Sequence, residues 1–533
     1  MSDIDIKARY EALHSQRTTH LNRARNCAKL TIPHLLPEEG HDHNREIPYP
    51  NQGFGARAVN NLSSKLWMTV LPPGSTFFKL SLSAEMEQEI RQTAMEEVSE
   101  ADIMSGLANI ESMIMDHIEN KGIRTPLFAG IRQYVTTGNV CVYVPDKSNK
   151  DPHHPWHKKG YGAKVFRLDQ YVVVRDATGN LVELIINEKI SFAALPEDVK
   201  RTLAAQVGKE YDSDTEVDLY TRILRSTTDK KKFNVTQAVE DYTLQDRNAE
   251  YDHDKLPWLV LRWSQDGDYG RGPVEEYLGD LAALDNLTKA MVEGSLGSAK
   301  VVFLCDPNGV TRPVDLSKAK NMDFKYGREE DVTVLRVEKA NDFSTALQMI
   351  QAIEQRLSEA FLMRQSVQRQ AERVTAEEIR YMAQELEDVL GGVYSMMSQD
   401  LQTPLVRLVL NRLEGDAFPR LPEGTIQPVI TTGLEALGRN HEQQKLRAFL
   451  MDVTETFGPE VAARWVNAGE YIKRAAINIG IDTDGLIKSE QQVQQEIEQE
   501  RQAQMAQQAT GPVAGEMAKG MVNQQQEGGG QPI

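Results

Sequence analysis

The sequence predicts an α+β chain, mainly helical, and three observations carry that reading. Over most of the length apolar residues recur at steps of three and four, the period of one helix face. Between Asn139 and Trp263 the texture changes to short β-branched runs separated by turn residues. In the C-terminal third, two strongly periodic segments flank RQSVQRQAERV (Arg364 to Val374), which has no long apolar residue from Gln368 to Arg373. Ala346, Ile350, Ile353, Leu357 and Phe361 form one helical face before it. Ile379, Met382, Leu386, Val389, Val393 and Met396 form another after it, in near-heptad rhythm.

A chain of 533 residues is long enough for three or four domains with sizeable cores. Charged residues at 26% and the hydrophobic set at 40% place it among ordinary folded chains. The formal charge of −18 argues against a protein that coats duplex DNA, which needs a basic face. It leaves room for one that surrounds DNA without gripping it. Cys27, Cys141 and Cys305 have no metal-type spacing and read as thiols in a reducing compartment. No hydrophobic segment follows Met1, so no secretory signal is expected. No apolar run approaches the roughly 20 residues of a membrane helix. A product assembled in the cytosol is expected.

Taken in order, residues 4–30 read as one helix, with Tyr10, Leu13, Leu21 and Ala24 on a face and Pro33 as its stop. Glu38 to Gly55 is a polar loop, and Gly55 to Leu71 a helix through Val59, Leu62, Leu66 and Val70. FFKLSL (Phe77 to Leu82) alternates like a strand. A long amphipathic helix is expected over 84–119, and another starts at Thr125 and Pro126, as cap and first helical residue. NVCVYVP, AKVFRL, YVVVRD and LVELII follow as strands, with a turn at Asp176 to Asn180. A short helix near 196–207, the strand VDLYTRIL, a Lys-rich turn and the strand WLVLRW complete this half. Past Gly272 and Pro273 the chain turns helical, with Leu278, Leu281, Leu284, Leu287 and Met291 in register to about Gly297. Residues 298–342 read as a small strand-rich insert with a locally basic surface from Lys300, Arg312, Lys318, Lys320, Lys325 and Arg328. Thr375 with Glu378 is a capping box that opens a long helix. Gly391 and Gly392 are expected to kink that helix. Residues 419–432 read as extended, and two or three helices follow between Gly438 and Asn478. The tail beyond about Gly511 has the composition of a disordered segment.

No phosphate-binding loop, nucleophile elbow or zincin helix occurs. The His-rich run from Asp151 to His157, and His41 with His43, carry imidazoles near carboxylates. Their prolines and lysines favour exposed loops over a metal site. Gly267-Asp-Tyr-Gly-Arg-Gly272 is glycine-rich, but with no Lys or Ser to hold a nucleotide it reads as a tight turn. Glu377 and Glu378 stand at a helix start, where the macrodipole favours them. Nothing has the arrangement of an active site, and neither a cofactor nor a metal is expected. Residues 364–373 carry three Arg against one Glu, a local +2 in an acidic chain. Arg and Gln without aromatics suit fleeting phosphate contact, not base readout or stacking.

Several long strings resemble one family. They are ARNCAKLTIPHLLP (Ala24 to Pro37), NNLSSKLWMTVLPP (Asn60 to Pro73), YGRGPVEEYLGDL (Tyr269 to Leu281), RVTAEEIRYMAQELEDVLGGVYSMMSQDLQTPLVR (Arg373 to Arg407) and TTGLEALGR (Thr431 to Arg439). They resemble the portal, or head-to-tail connector, proteins of short-tailed bacteriophages. The resemblance spans most of the chain in the same order. It implies a ring-shaped homo-oligomer, typically of twelve subunits, at one capsid vertex around an axial channel.

On that resemblance residues 1–273 form the wing, 274–297 and 343–363 the two stem helices, and 298–342 the clip between them. Residues 364–374 become the channel loop, 375–414 a long kinked wing helix, 415–510 a helical crown and 511–533 a disordered tail. Arg364, Gln365, Gln368, Arg369, Gln370 and Arg373 would face translocating double-stranded DNA without sequence-specific binding. Arg312, Lys318, Lys320, Lys325 and Arg328 would dock the packaging terminase and later the tail adaptor. Leu281, Leu284, Leu287, Ile350, Ile353 and Leu357 would pack the stem, with apolar faces left for neighbouring subunits. The family also implies contact with major capsid and scaffolding proteins, internal core proteins at the crown, and a part in initiating capsid assembly. The expected location is the virion, after assembly in host cytoplasm, with no membrane and no enzymatic activity. A metal-dependent enzyme using the His-rich loop, and a scaffold protein built from helical bundles, stay open as other classes.

Overall fold

The computed structural model describes residues 5–40, 45–72, 76–82, 100–145, 162–197, 214–265, 267–298, 302–335, 340–363, 392–414 and 426–430, with short pieces within 199–203 and 449–456 and the single residues 212, 418, 458 and 471. The chain divides into two compact units, Met1–Ser83 with Ile110–Glu435, and Ala84–Asn109 with Ala436–Ile533. Nearly all described elements lie in the first; the second contributes residues 100–109 of one helix, helical residues 449–456 and the single residues 458 and 471. The His-rich stretches, the segment 364–391 and most of the chain beyond 430 lie outside the described residues. The described part is α+β, as the patterning implies.

Two helices, α1 (Ile6–Gln16) and α2 (Thr18–Lys29), stand where one was expected over 4–30. The break is at Arg17, a residue only 2% exposed. Its guanidinium turns inward to donate to the carbonyls of Leu168 and Asp169. A buried cation needs such partners, and an apolar-periodicity reading has no way to see them. Helix α3 (Phe54–Val70) follows the expected register and buries Ala58, Val59, Leu62, Leu66 and Val70. Strand β1 (Phe78–Leu82) comes next, then α4 (Glu100–Asn120) and α5 (Arg124–Thr137). Helix α5 starts one residue before Thr125, so Thr125 is inside the first turn and does not cap it.

Strand β2 (Asn139–Tyr143) lies between β3 (Lys164–Phe166) and β9 (Trp258–Arg262) in a three-stranded sheet. The other five strands run in sequence order as an antiparallel meander: β4 (Tyr171–Arg175), β5 (Leu181–Ser191), β6 (Glu216–Arg225), β7 (Lys232–Val239) and β8 (Tyr242–Asp252). Side-chain alternation splits this meander between two cores. Val173, Leu184, Ile186, Ile223, Phe233 and Tyr251 pack with Tyr143, Phe166 and Trp258 of the smaller sheet. Val172, Ile185, Tyr220 and Ala238 pack under Ile6, Tyr10 and Leu13 of α1. A third cluster sets Leu195, with Val199 and Leu203 from the expected short helix, on Val217, Leu219 and Val239.

Glycines decide how this body joins the rest. Gly138 ends α5 with φ +74°, and its backbone crosses that of Gly270 and Gly272. A Cβ on Gly272 would sit 2.7 Å from the Gly138 nitrogen, and one on Gly270 would sit 2.6 Å from the Trp263 nitrogen. Asn139 closes the crossing by exchanging two 2.8 Å hydrogen bonds with the Gly270 backbone. The glycine-rich run is therefore a tight backbone crossing, and Pro273 starts the next helical turn directly from it.

Beyond the crossing, α6 (Leu278–Ser298) and α7 (Ala340–Ala360) form a helical hairpin. Between them a two-stranded ribbon, β10 (Val302–Cys305) with β11 (Val332–Leu335), carries the insert. The helix expected before the Gly391–Gly392 kink lies outside the described residues, which resume at Gly392. Gly392 has φ +86°, a conformation no helix interior accepts, and a new helical turn starts from its carbonyl. A π turn at Ser398–Gln402 then leads into α8 (Thr403–Leu413). Pro404 has no N–H to give to the fourth residue back, and the wider turn accommodates that loss. Strand β12 (Ile426–Ile430) pairs antiparallel with β1.

One buried carboxylate fastens the N-terminus to the meander. Glu183, 3% exposed, accepts from Arg9 at 2.9 and 3.1 Å and from Arg222 at 2.7 Å. Glu183→Ala strands the well-covered Arg222 and is expected to cost about 3 kcal/mol of unfolding free energy. Arg9→Ala, at a half-exposed position, is expected to cost about 1 kcal/mol or less. Denaturant unfolding of the purified variants checks both.

Candidate functional site: a helical hairpin and its insert

Leu281 and Leu284 on α6, and Ile353 and Leu357 on α7, are buried within the single chain. Leu287 and Ile350 are half-buried further along. These six residues therefore face inward in the hairpin and its base and do not form an outer stripe. The large apolar side chains that the hairpin leaves exposed are Val292, Leu296, Leu347 and Met349, nearer the insert. The two helices approach closely there: a Cβ on Gly294 would lie 2.7 Å from the Phe343 ring. An Arg356–Asp280 ion pair at 2.8 Å joins them at the other end, exposed and thus worth little.

Helix α3 and the loop just before it hold the hairpin at one point each. Asp285 of α6 accepts the Asn51 backbone N–H at 2.6 Å, the Asn51 side-chain amide at 3.1 Å and the Gln52 N–H at 3.3 Å. Asn61 of α3 donates to the carbonyls of Phe361 and Leu362, just past the end of α7, at 2.9 and 3.1 Å. Neither Asp285 nor Asn61 stands out in sequence, because each is one polar residue on an amphipathic helix.

The insert is built from short-range polar contacts rather than a core. Asp306 to Gly309 turn the ribbon, and a Cβ on Gly309 would sit 2.6 Å from the Asp331 carboxyl carbon. The Asp331 carboxylate accepts from the Val310 and Thr311 N–H groups and the Thr311 hydroxyl at 2.9–3.0 Å. Those bonds, the Thr311 hydroxyl first, hold its pKa below the usual carboxylate range. Thr311 in turn accepts from the Arg328 N–H at 2.8 Å, so the loop 312–328 is cinched at its base.

The loop itself stands in solvent. Arg312, Lys318, Lys320, Lys325 and Arg328 are all exposed, and the segment 312–328 carries a net +3. Between the lysines, Met322, Phe324 and Tyr326 are almost fully exposed, with Val314 and Leu316 beside them. Reading charge alone misses these apolar residues; their signal is the alternation Met-Asp-Phe-Lys-Tyr itself. Exposed aromatics interleaved with cations suit partner contact, since aromatic and Arg side chains dominate interface energetics.

The proposed DNA-facing residues Arg364, Gln365, Gln368, Arg369, Gln370 and Arg373 lie outside the described residues, which stop at Met363. Among the described residues no group of three His, Cys, Asp or Glu side chains could hold a metal ion. No described helix is long and apolar enough to cross a membrane. Burial pushes the Cys27 thiol up to about 12 and the Cys141 thiol higher still, so neither is a nucleophile at neutral pH.

A family model described as "Bacteriophage head to tail connecting protein" matches residues 4–487. The portal protein of Escherichia phage T7 is 40% identical over 505 residues, covering 94% of this chain and 91% of the relative. That of Enterobacteria phage T3 is 40% identical, covering 92% and 89%, and that of Enterobacteria phage SP6 is 30% identical, covering 93% and 92%. With matches of this length and level, in the order the sequence motifs run, the chain belongs to the family of bacteriophage head-to-tail connecting proteins, the portal proteins of short-tailed phages.

Proposed function

We propose that twelve copies of this chain form the ring at the portal vertex, through which double-stranded DNA enters and leaves the phage head. Helices α6 and α7 are its stem, the insert its clip, and residues 364–374 its channel constriction. The observation that carries this reading is the hairpin. Each helix has 21 residues, about 30 Å at 1.5 Å per residue. The basic and aromatic loop of the insert thus stands at one end, and the chain leaves toward Arg364 at the other. Docking and DNA contact are separated along one rigid rod.

The charge distribution suits a conduit. Twelve copies of a local +2 put about +24 around duplex DNA that carries one charge per roughly 1.7 Å. A chain of −18 overall keeps that attraction local, so DNA is centred and released. Tight or sequence-specific binding would stop it. Ring closure is supported by Val292, Leu296, Leu347 and Met349, apolar positions that the single hairpin leaves uncovered. On this reading the protein is a structural passage, and the motor activity belongs to the terminase that docks on the clip before the tail adaptor takes its place.

Replacing Arg364, Arg369 and Arg373 together by Ala is expected to leave assembly intact and to lower DNA retention in filled heads several-fold. Packaging and retention assays with the variant check this, and wild-type retention would remove the constriction from the account. Deleting residues 312–328 is expected to abolish terminase binding to assembled rings in a pull-down. Undiminished binding would place docking elsewhere.

A further inference from the structure

Two rings of the insert stand where no packing within the chain accounts for them. Phe324 and Tyr326 are 102% and 99% exposed, so no other side chain covers either one. Residues 323–328 belong to no helix, strand or turn, yet the span is held at both ends. Met322, with φ +70° in the left-handed region, turns the chain into it. There the Asp323 N–H donates to the Lys320 carbonyl at 3.0 Å, and the Lys320 N–H donates to the Asp323 carboxylate at 2.9 Å. At the far end the Arg328 N–H donates to the Thr311 hydroxyl at 2.8 Å. The rings therefore sit on a short span with fixed ends and open faces.

Their spacing matches a flat ligand. In an extended span, side chains two residues apart share a face and stand roughly 6.7 Å apart, at about 3.3–3.4 Å per residue. That is twice the roughly 3.4 Å rise between stacked bases. One base thus fits between Phe324 and Tyr326, with a ring on either side. Cations for the flanking phosphates are at hand, because Arg312, Lys318, Lys320, Lys325 and Arg328 are all exposed. Asp315 and Asp323 offset two of these five charges, leaving residues 312–328 at +3. Lys325 reaches Asp323 only at 4.0 Å, an exposed pair worth little. Stacking rings set among cations are the working parts of a site for single-stranded nucleic acid. Bases inside a duplex are already stacked and paired, so such rings meet only a single strand or an unpaired end.

We propose that the insert binds single-stranded nucleic acid, with Phe324 and Tyr326 stacking on a base and the five cations meeting its phosphates. Binding is tolerant of sequence, since every base has a flat face. It weakens as salt rises, because phosphate neutralisation releases counterions. A strand and a docked protein then compete for one surface. Within a portal ring the ligand would be the unpaired end of a DNA strand at the mouth of the conduit; that use rests on the reading given above, and the binding itself does not.

Fluorescence anisotropy on the assembled full-length protein tests the site. The probes are a labelled oligothymidylate of about 16 nucleotides, an abasic strand of the same length and a blunt duplex of the same length. The oligothymidylate is expected to bind about tenfold more tightly than either of the others. Phe324→Ala and Tyr326→Ala are each expected to weaken it about tenfold, whereas Phe324→Tyr and Tyr326→Phe keep a ring and bind as wild type. Both side chains are uncovered, so neither alanine variant removes a buried contact. That pattern establishes the site even where the ring reading fails. Equal affinity for the oligothymidylate and the abasic strand, or alanine variants that bind as wild type, overturns the proposal. Alanine variants that lose terminase in a pull-down but keep oligothymidylate binding make the rings a protein-docking surface alone, and that also overturns it.

Discussion

A buried helix must find partners for the backbone groups at its ends, and the way α3 meets that requirement ties the first unit together. The Gly55 N–H at its start donates to the side-chain carbonyl of Gln52, whose amide bonds the Leu30 carbonyl after α2. At its other end the Val70 carbonyl accepts from Gln402 in the π turn, and the Leu71 carbonyl accepts from Arg124 of α5. Asn61 in its middle covers the end of α7, and the loop before it holds α6. Five elements distant in sequence thus meet on one helix through single polar side chains. Each bond is worth only about 1 kcal/mol net, but leaving its buried partner unpaired costs more.

That hub gives the hairpin a fixed base, and the glycine crossing at Gly138, Gly270 and Gly272 does the same for the turn that feeds α6. The outer end is different in kind. Among its described residues the insert has no apolar core; it is held by the Asp331 and Thr311 bonds and leaves Met322, Phe324 and Tyr326 in solvent. A two-stranded ribbon of this size has little stability alone. The hairpin is thus fastened by polar bonds at its base and leaves apolar and cationic side chains in solvent at its tip.

Periodicity made much of this legible. Helix α3, the hairpin helices, β4 to β6 and the turn at Asp176 all follow from apolar spacing and turn residues, since each buries one clean face. Strands β7 and β8 were missed because KFNVTQAV and YTLQDRNAEYD are half polar, and only the neighbouring strands make them a sheet. The break at Arg17, the Glu183 anchor and the Asn61 bonds to the end of α7 escaped for a shared reason. Each is a long-range polar contact, with no local pattern to announce it. The six stem residues were placed in stem packing, but a heptad-like stripe does not say whether the same chain or a neighbouring subunit covers each one; Leu281, Leu284, Ile353 and Leu357 are buried within the single chain. The arginines of 364–373 remain known from sequence alone.

The central claim is that residues 364–374 of many copies surround one axis. Electron microscopy of the purified assembly, carrying Arg369→Cys labelled with a maleimide-linked gold cluster, tests it most directly. Cys305, half exposed, is replaced by Ser so that the label reports only the new thiol, while the buried Cys27 and Cys141 stay unreactive. The account predicts rings with density concentrated at the central hole in axial views. Label at the ring periphery, or assemblies with no central hole, would contradict it.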